Sequence, residues 1–332
     1  MSQNIIRWGV LGVAKINNRI FPSFTRTKLA KLHGIASRSL VKAQHAAKQD
    51  NIPKAYGSYD ELLADPEIDV VYNPLPNTLH AEWTKKAADA GKHILCEKPL
   101  TPTAAGAQEV VDYCASKGVR LLDGFMWPHH PRTVKLREII DAGTIGEVQR
   151  VTGAFTFKME PLDTSNIRLK PELGGGSLLD VGCYPVYGIR WALGAEPVKA
   201  FAQAKYVNDV DVEMTGQLTF ADGRMASFDC GFTLPMRMTM EITGTEGFIR
   251  IPEMWLPLPS ATFTIHRWST GGVETISIDG QDQIAHMLDN MSSSVRDDQP
   301  VKPEPHEAVK TLRVLDALAK SAKSGKIEDV AG

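Results

Sequence analysis

The chain has 332 residues, 43% hydrophobic and 23% charged, and its 37 basic and 39 acidic side chains leave a formal charge of −2. This length predicts about two domains with a sizeable core. The near-neutral balance argues against nucleic acid or an anionic membrane as the main partner. No apolar run approaches the ~18 residues of a membrane span, and the first residues lack signal-peptide features. Four dispersed cysteines without a C-x-x-C pair are typical of reduced thiols in a cytoplasmic protein.

The first 125 residues alternate between strand and helix patterns. The predicted strands are Ile5–Leu11, Lys28–Ala36, Asp69–Asn73, His93–Cys96 and Val119–Leu122. Between them, Ser58-Tyr-Asp-Glu61 has the pattern of a capping box, and the helices Thr78–Ala90 and Thr101–Lys117 each stop at a glycine. Strands that alternate with helices indicate βαβ units. Residues 1–125 are therefore predicted to form a doubly wound, parallel α/β (Rossmann) domain.

A glycine-containing turn follows the first strand. Read against G-x-G-x-x-G, the segment has Gly12 at the first position, with Ala14 and Asn17 at the other two. Backbone N–H groups at the start of a helix bind a pyrophosphate, so this location suits a dinucleotide. A glycine that only makes a tight strand-to-helix turn is the alternative. The place at the first βα junction favours the nucleotide site.

The end of the second strand bears on the choice of cofactor. An NAD site usually has a carboxylate here for the ribose 2′-hydroxyl, whereas this strand ends Ala36-Ser37-Arg38-Ser39. A hydroxyl next to a guanidinium suits a 2′-phosphate. In the alternative interpretation, Arg38 is a solvated charge on a loop and Ser39 only caps the next helix. NADP is thus predicted, with NAD as second choice.

The second half, residues 126–332, is predicted to be an α+β domain with a large, open, mostly antiparallel sheet. Its predicted strands are Val148–Phe157, Val198–Val207, Glu213–Phe220, Met225–Phe232, Met236–Thr243, Phe248–Ile251, Ala261–Trp268 and Val273–Ile278. Helices are predicted over Thr133–Ala142, Leu178–Leu193 and 307–324, and the last can pack back on the first domain. An open sheet face is often covered by another subunit, so we expect a homodimer or a tetramer.

Three residues form the predicted catalytic group. Lys98 follows a strand in Cys96-Glu97-Lys98-Pro99, where ligands of open α/β sheets bind. Asp180 and Tyr184 are four residues apart on one helix. A phenol with a pKa near 10 is a poor base at neutral pH, and a nearby ammonium lowers that value. Tyr184 could then exchange a proton with a substrate hydroxyl. If each residue is considered alone, it is more common for a lysine such as Lys98 to face solvent and for a tyrosine such as Tyr184 to pack in the core.

Taken together, Gly9–Asn17, Ala36–Ser39, Leu75-Pro-Asn77-x-x-His80, Glu97-Lys98-Pro99 and Gly174–Tyr184 resemble the glucose–fructose oxidoreductase / inositol dehydrogenase / rhizopine-catabolism (Gfo/Idh/MocA) family. Phe125-Met-Trp127 and Asp180–Tyr184 look most like its dimeric dihydrodiol dehydrogenase and NADP-dependent D-xylose dehydrogenase branch. The resemblance implies Tyr184 as acid/base, Lys98 as the group that perturbs it and Asp180 as the group that orients the pair. It also implies a cis Lys98–Pro99 bond.

The same resemblance implies the binding residues. The cofactor set is Gly12, Val13, Ala14, Lys15, Ile16, Ser37, Arg38, Pro74, Leu75, Asn77, His80, Glu97, Lys98 and Trp127. For the substrate it implies Lys98, Trp127, Arg168 and Tyr184, and Phe157, an aromatic residue of a predicted strand, is added because it could form a wall of the site. In the alternative interpretation, Arg168 forms an ion pair at the surface, and the strand aromatics Phe155 and Phe157 only pack in the core. His129 and His130 have no partner at metal-ligand spacing, so no metal is predicted and both are interpreted as structural.

The predicted activity is hydride transfer between NADP and the carbinol or carbonyl carbon of a sugar or related polyol. Three alternatives stay open: a trans-dihydrodiol or dicarbonyl substrate, a glycosidase or epimerase in which hydride leaves and returns to a retained NAD, and a non-catalytic NADP-binding sensor. The pairing of Lys98 with Tyr184 argues against the sensor, because a pure binder needs no perturbed phenol.

Overall fold

The computed structural model describes residues 5–331, which form two compact units. The first unit holds the chain up to His129 together with Asp282–Val309. The second holds His130–Gln281 and the chain from Lys310 onward. The domain boundary predicted from the sequence lies near residue 125, with 282–309 in the second domain, whereas the structure groups that stretch with the first unit. The helix predicted over 307–324 crosses the boundary between the two units, which lies between Val309 and Lys310.

The elements are numbered along the chain. The strands are β1 (Ile6–Leu11), β2 (Ala30–Ala36), β3 (Lys54–Tyr56), β4 (Val70–Asn73), β5 (His93–Cys96), β6 (Leu121–Asp123), β7 (Val148–Lys158), β8 (Pro197–Val207), β9 (Val210–Phe220), β10 (Met225–Gly231), β11 (Thr233–Arg237), β12 (Met240–Gly244), β13 (Gly247–Ile251), β14 (Ser260–Arg267), β15 (Val273–Asp279) and β16 (Glu328–Asp329). The helices are α1 (Asn17–Ile20), α2 (Leu40–Gln49), α3 (Tyr59–Ala64), α4 (Asn77–Asp89), α5 (Ala104–Ser116), α6 (Pro131–Asp141), α7 (Cys183–Leu193), α8 (Gln283–Arg296) and α9 (His306–Ser324).

The first unit contains a parallel sheet in the order β3-β2-β1-β4-β5-β6. Its central strands are apolar and buried, as expected when helices cover both faces of a sheet. The strand order reverses at β1, between β2 and β4, and ligands of such sheets bind beyond the carboxyl ends of the strands at this point. The predicted doubly wound α/β fold is confirmed.

Side-chain caps start several of these helices. Ser39, Ser58 and Thr103 accept hydrogen bonds from backbone N–H groups at the start of α2, α3 and α5. Ser58 accepts from Glu61 N at 3.1 Å, as the predicted capping box requires. The reciprocal bond differs slightly, because the Glu61 carboxylate accepts from Gly57 N at 2.9 Å, one residue before the cap.

The second unit contains a mixed sheet in the order β15-β14-β13-β12-β7-β10-β9-β8-β16, with β11 paired to β7. The pairs are antiparallel except β10 with β7, which agrees with the mostly antiparallel prediction. Helix α7 packs on β7, β10 and β12. The predicted strand Met236–Thr243 is wrong as a single element. Its residues belong to two strands, because β11 pairs with the last residues of β7 and β12 pairs with the first ones.

Helix α8 was not predicted, although its signal is present. Asp282 accepts hydrogen bonds from Ile284 N and Ala285 N, and apolar residues recur at helical spacing behind this cap. The helix packs against β1 within the first unit, where Trp8 Nε1 donates to Ser292 Oγ at 3.1 Å. The many polar residues of α8 concealed its buried face.

Two further findings concern the chain as a whole. Across residues 5–331, no helix is both long and apolar enough to cross a membrane. All four cysteines are buried, and none takes part in a disulfide.

Candidate active site

The turn after β1 is built around Gly12. This residue has φ +104°, a conformation that suits glycine, and a Cβ here would lie 3.2 Å from Leu75 Cδ2. Its N–H donates to Ala36 O at 2.8 Å. The buried Asn17 side chain donates to Gly12 O at 2.9 Å and closes the turn where the motif has its third glycine. The turn, which includes Val13, Ala14, Lys15 and Ile16, leads into α1 and suits a pyrophosphate.

The end of β2 carries a hydroxyl and a guanidinium but no carboxylate. Ser37 is buried and its Oγ accepts from Ser39 N, whereas Arg38 is exposed. Arg38 also acts on Tyr59, since burial raises the pKa of that phenol and the positive charge of Arg38 opposes the rise. The Tyr59 hydroxyl lies 3.6 Å from the position of a Cβ on Gly12. Arg38, Tyr59 and the glycine turn therefore form one local cluster that fits a ribose phosphate.

The end of β4 is joined to the segment after β5 by a buried histidine. His80 Nε2 lies 2.7 Å from Leu75 O, and Nδ1 lies 2.9 Å from Pro99 O. Burial lowers the pKa of His80, which favours a neutral imidazole that donates to one of these carbonyls. The Lys98–Pro99 bond is cis, as the resemblance implied. His80 thus holds the backbone next to Lys98, beside Pro74, Leu75 and Asn77.

Buried acids lie next to Lys98. Glu97 accepts from Tyr72 Oη at 2.7 Å and from Lys98 N at 3.3 Å, and burial raises its pKa. Asp123 is the register partner of Cys96, and its buried Oδ1 has no hydrogen-bond partner among the described residues. Burial, with the nearby Glu97 carboxylate, raises the pKa of Asp123 to about 7. The Lys98 charge favours the ionised form of both acids.

The segment after β6 contains the buried Trp127, and the two histidines that follow have separate surroundings. Burial and the neighbouring His286 lower the pKa of His129 to about 3. His130 Nδ1 accepts from Arg132 N at 3.0 Å and caps α6. Within residues 5–331 there is no group of three or more His, Cys, Asp or Glu side chains arranged to hold a metal ion.

In the second unit, Tyr184 lies at the start of α7. A wide π-helical turn, Leu178–Gly182, precedes α7, so the predicted helix Leu178–Leu193 is not regular throughout. Such turns are frequent at functional sites. The Tyr184 ring is buried, with its centroid 5.1 Å from that of Phe155 and 6.1 Å from that of Trp255. The Trp255 ring is fixed by its Nε1–H, which donates to Ala154 O at 2.8 Å.

The π-helical turn also carries Asp180, which is paired with Arg168. The two side chains join through Arg168 Nε and Asp180 Oδ2 at 2.6 Å, and 42% of the arginine side chain is exposed against 18% of the aspartate. The Arg168 guanidinium lies 5.9 Å from the Phe157 ring centroid. Arg168, Asp180 and Phe157 are therefore one cluster, which sequence spacing alone did not predict.

The predicted cofactor residues of the first unit lie at the carboxyl ends of β1, β2, β4 and β5 and just after β6, so the parallel sheet brings them to one edge. In the second unit, Phe157, Arg168, Asp180 and Tyr184 fall on β7, on the turn after it and on the helix that packs against it. Sequence reasoning missed Tyr59, Tyr72, Asp123 and Asp211. Tyr59 lies in the capping box at the start of α3, which signals a helix and not a ligand, and the other three belong to no motif.

Two family models cover most of the chain. One, described as an oxidoreductase family with an NAD-binding Rossmann fold, matches residues 6–125, and the GFO/IDH/MocA C-terminal domain matches residues 133–250. A D-xylose 1-dehydrogenase (NADP(+)) from Haloferax volcanii is 35% identical over 96% of this chain and 98% of its own length. A trans-1,2-dihydrobenzene-1,2-diol dehydrogenase from Xenopus tropicalis is 32% identical over 76% of this chain and 77% of its own length.

Among solved structures, the 3-ketoreductase KijD10 from Actinomadura kijaniata, in complex with NADP and TDP-benzene, superposes with a TM-score of 0.89. It is 29% identical and covers 96% of this chain and 98% of its own length. The Rossmann sheet, the glycine turn and these relatives define a nucleotide-dependent oxidoreductase. The chain belongs to the Gfo/Idh/MocA oxidoreductase family, and it is an NAD(P)-dependent enzyme of that family.

Proposed function

We propose that this protein is an NADP-dependent oxidoreductase that acts on the carbinol or carbonyl carbon of a sugar or a related polyol. The observation that carries the proposal is the order of residues at the start of α7, in a family of oxidoreductases: Asp180, on the π-helical turn, pairs with Arg168, and Tyr184 follows four residues later in the first turn of α7. The names of the relatives support the substrate class, since they include a xylose dehydrogenase and reductases of nucleotide-linked sugars.

The preference for NADP rests on the end of β2. Ser37 and the exposed Arg38 can donate hydrogen bonds to a 2′-phosphate, and no carboxylate is present there to bind a 2′-hydroxyl or repel a phosphate. Both the xylose dehydrogenase and the solved reductase are named with NADP. NAD is the second choice.

In the proposed mechanism, NADP supplies a hydride acceptor at C4 of its nicotinamide, and its reduced form supplies the donor. In the oxidation direction the carbinol C–H bond would break with its hydrogen leaving as hydride, and Tyr184, as phenolate, would take the hydroxyl proton as the C=O bond forms; in the reverse direction Tyr184 would return that proton to the carbonyl oxygen. Lys98 favours the phenolate because its ammonium is positive. Asp180 holds Arg168, whose side chain is 42% exposed and whose guanidinium can donate hydrogen bonds to sugar hydroxyls.

The proposal is tested by following absorbance at 340 nm with NADP and a panel of aldoses, polyols, trans-dihydrodiols and dicarbonyls. Oxidation of an aldose or polyol is the expected result. Turnover of trans-dihydrodiols alone would show that the substrate is a trans-dihydrodiol rather than a sugar or polyol. Product formation with no net change at 340 nm would indicate transient hydride transfer, as in a glycosidase or epimerase. No product with any substrate, together with tight NADPH binding, would indicate a sensor.

The role of Tyr184 is tested with Tyr184→Phe, which removes only the hydroxyl. We expect kcat to fall by about 10²–10⁴-fold, because a proton transfer is lost, with NADPH affinity unchanged. The control is Tyr113→Phe, since Tyr113 lies on α5 and its hydroxyl donates to the exposed Asp89 at 2.7 Å. Turnover of Tyr184→Phe at the wild-type rate would remove the phenol from the mechanism.

Cofactor choice is tested with Arg38→Ala. The affinity for NADPH should fall by about 10-fold or more and that for NADH should hardly change, since only the former has a 2′-phosphate. Lys28→Ala is a suitable control, because Lys28 is exposed and precedes the amino end of β2. Equal losses for both nucleotides would contradict the assignment of Arg38.

Two further properties belong to this proposal. The second sheet alternates buried and exposed residues along β9, which leaves a polar face that carries Thr215 and Gln217. We propose that this face pairs two subunits, and light scattering at micromolar concentration is expected to give a dimer or a tetramer rather than a monomer. A cytoplasmic location is also proposed, supported by four buried cysteines without a disulfide.

A further inference from the structure

An aspartate outside every motif holds the glycine run in front of the π-helical turn. Asp211 Oδ2 accepts from Ser177 Oγ at 2.7 Å and from Leu178 N at 2.7 Å. Gly176 has φ +123°, and a Cβ on it would lie 2.3 Å from Asp211 Oδ1. Three successive residues therefore fit around one carboxylate, and any side chain at position 176 would displace it.

The opposite side of the glycine run is fixed by the segment that contains Arg168. Gly176 N donates to Arg168 O and Gly175 N to Lys170 O, both at 3.0 Å. A Cβ on Gly175 would lie 2.6 Å from Arg168 O. The run thus lies between the Asp211 carboxylate and the backbone of the arginine that pairs with Asp180.

A bulge in β9 directs the Asp211 side chain towards the glycine run. The register between β8 and β9 shifts after Lys205, so that Tyr206 pairs with Asp211 and Val212 has no partner on β8. Such bulges redirect side chains. The far end of the π-helical turn is restrained as well, since a Cβ on Gly182 would lie 2.8 Å from Cys230 Sγ on β10. Two neighbouring strands therefore fix both ends of the turn.

We propose that Asp211 is a positioning residue for the reaction, which sets the π-helical turn so that Asp180 and Tyr184 keep their working orientation. This inference rests on the proposed function. The carboxylate satisfies N–H and O–H groups at the start of the helix, where negative charge is also favoured by the helix dipole. Its burial raises the pKa of Asp211, so the ionised carboxylate is kept there at a cost in stability.

The test uses Asp211→Ala, which removes both acceptors, Asp211→Asn, which keeps one acceptor oxygen, and Ser177→Ala, which removes one donor. A small misplacement of a catalytic group can cost up to about 10²-fold in rate. We therefore expect kcat per NADPH-binding site to fall by about 10- to 100-fold in Asp211→Ala, with smaller losses in the other two. NADPH affinity should stay within about twofold, since its residues lie in the first unit.

A solvent deuterium isotope effect separates positioning from a merely structural role. If Tyr184 is misplaced, proton transfer limits turnover and the isotope effect on kcat increases in Asp211→Ala. A structural defect in the second unit lowers the fraction of molecules that are active, so kcat falls while the isotope effect on kcat is unchanged. The matched control is Asp229→Asn on the neighbouring strand β10, where the carboxylate pairs with Arg237; it should behave as wild type.

The outcomes separate the two proposals. Wild-type protein without any NADP-linked turnover would overturn the proposed function and this inference together. Active wild type, with kcat per site and isotope effect unchanged in Asp211→Ala, would overturn this inference alone. Should Asp211→Ala bind no NADPH, Asp211→Asn and Ser177→Ala decide, and wild-type values in both would refute the role of Asp211.

Discussion

Replacing Asp123 by asparagine should stabilise the protein at alkaline pH and not at acidic pH. The Asp123 carboxyl ends β6 beside Glu97, with a buried Oδ1 that no hydrogen bond satisfies among the described residues. Gly124 N donates to Cys96 O at 2.7 Å and brings the two strand ends together. Asparagine has nearly the same shape but never ionises. The substitution therefore removes the charge and leaves the packing in place.

The magnitude follows from the pKa of Asp123, which rises from 3.8 in the unfolded chain to about 7 in the folded protein. Between these values the folded state binds more protons than the unfolded state, so the free energy of unfolding falls as pH rises through this window. At ~1.4 kcal/mol for each pH unit, the full difference corresponds to about 4 kcal/mol at pH 8. The residue keeps some exposed surface through which water can reach the carboxylate, so we expect about 1–3 kcal/mol.

The assay is urea or thermal unfolding of the nucleotide-free protein at pH 5 and pH 8. We expect Asp123→Asn to gain about 1–3 kcal/mol over wild type at pH 8, and much less at pH 5. Asp112→Asn, an exposed carboxylate of α5 in the same unit, serves as control and should show no such difference. An equal effect of Asp123→Asn at both pH values, or a loss at pH 8, would refute the cost assigned to burial of the ionised Asp123 carboxylate.

Three more substitutions probe other contacts. Arg168→Met should lower kcat/KM for the sugar by about 10-fold or more with NADPH affinity unchanged, in steady-state and fluorescence measurements, because the partner of Asp180 is removed. Ser58→Ala should cost about 1 kcal/mol of unfolding free energy in urea, since Ser58 caps α3. Arg190→Met should cost about 2–4 kcal/mol, because Arg190 has only 2% of its side chain exposed and pairs with Glu196; an unchanged Tm would contradict that contribution.

Most of the fold could be predicted from local patterns in the sequence. In the first unit, apolar runs of strand length separated by capped helices were enough to predict the parallel sheet, because both signals act within a few residues. The glycine turn and the end of β2 were found for the same reason. Helix α8 was missed although its cap and its apolar spacing are local signals, because polar residues such as Gln283, Ser292 and Ser294 are part of its buried face. Its return to the first unit depends on packing against β1.

The residues that support the site could not be predicted from the sequence. Asp211 precedes Glu213 on a strand and carries no local signal; only the bulge beside Tyr206 turns it towards Ser177. Likewise, the pair of Arg168 with Asp180 depends on a π-helical turn whose extra width no periodicity predicts. Such contacts join segments distant in sequence, and their geometry is set by the fold rather than by residue type.

The distribution of charge within the first unit separates stability from function. At the amino ends of its strands, Asp65 and Asp69 have lowered pKa values despite burial, because Lys54 and Arg7 bond to them, so their ionisation stabilises the fold. Beyond the carboxyl ends, burial raises the pKa of Glu97 and of Asp123, so their ionisation opposes folding. Groups that cost stability persist where they serve a reaction. Among the carboxylates of this sheet, the contrast agrees with a ligand site at the edge that carries Lys98.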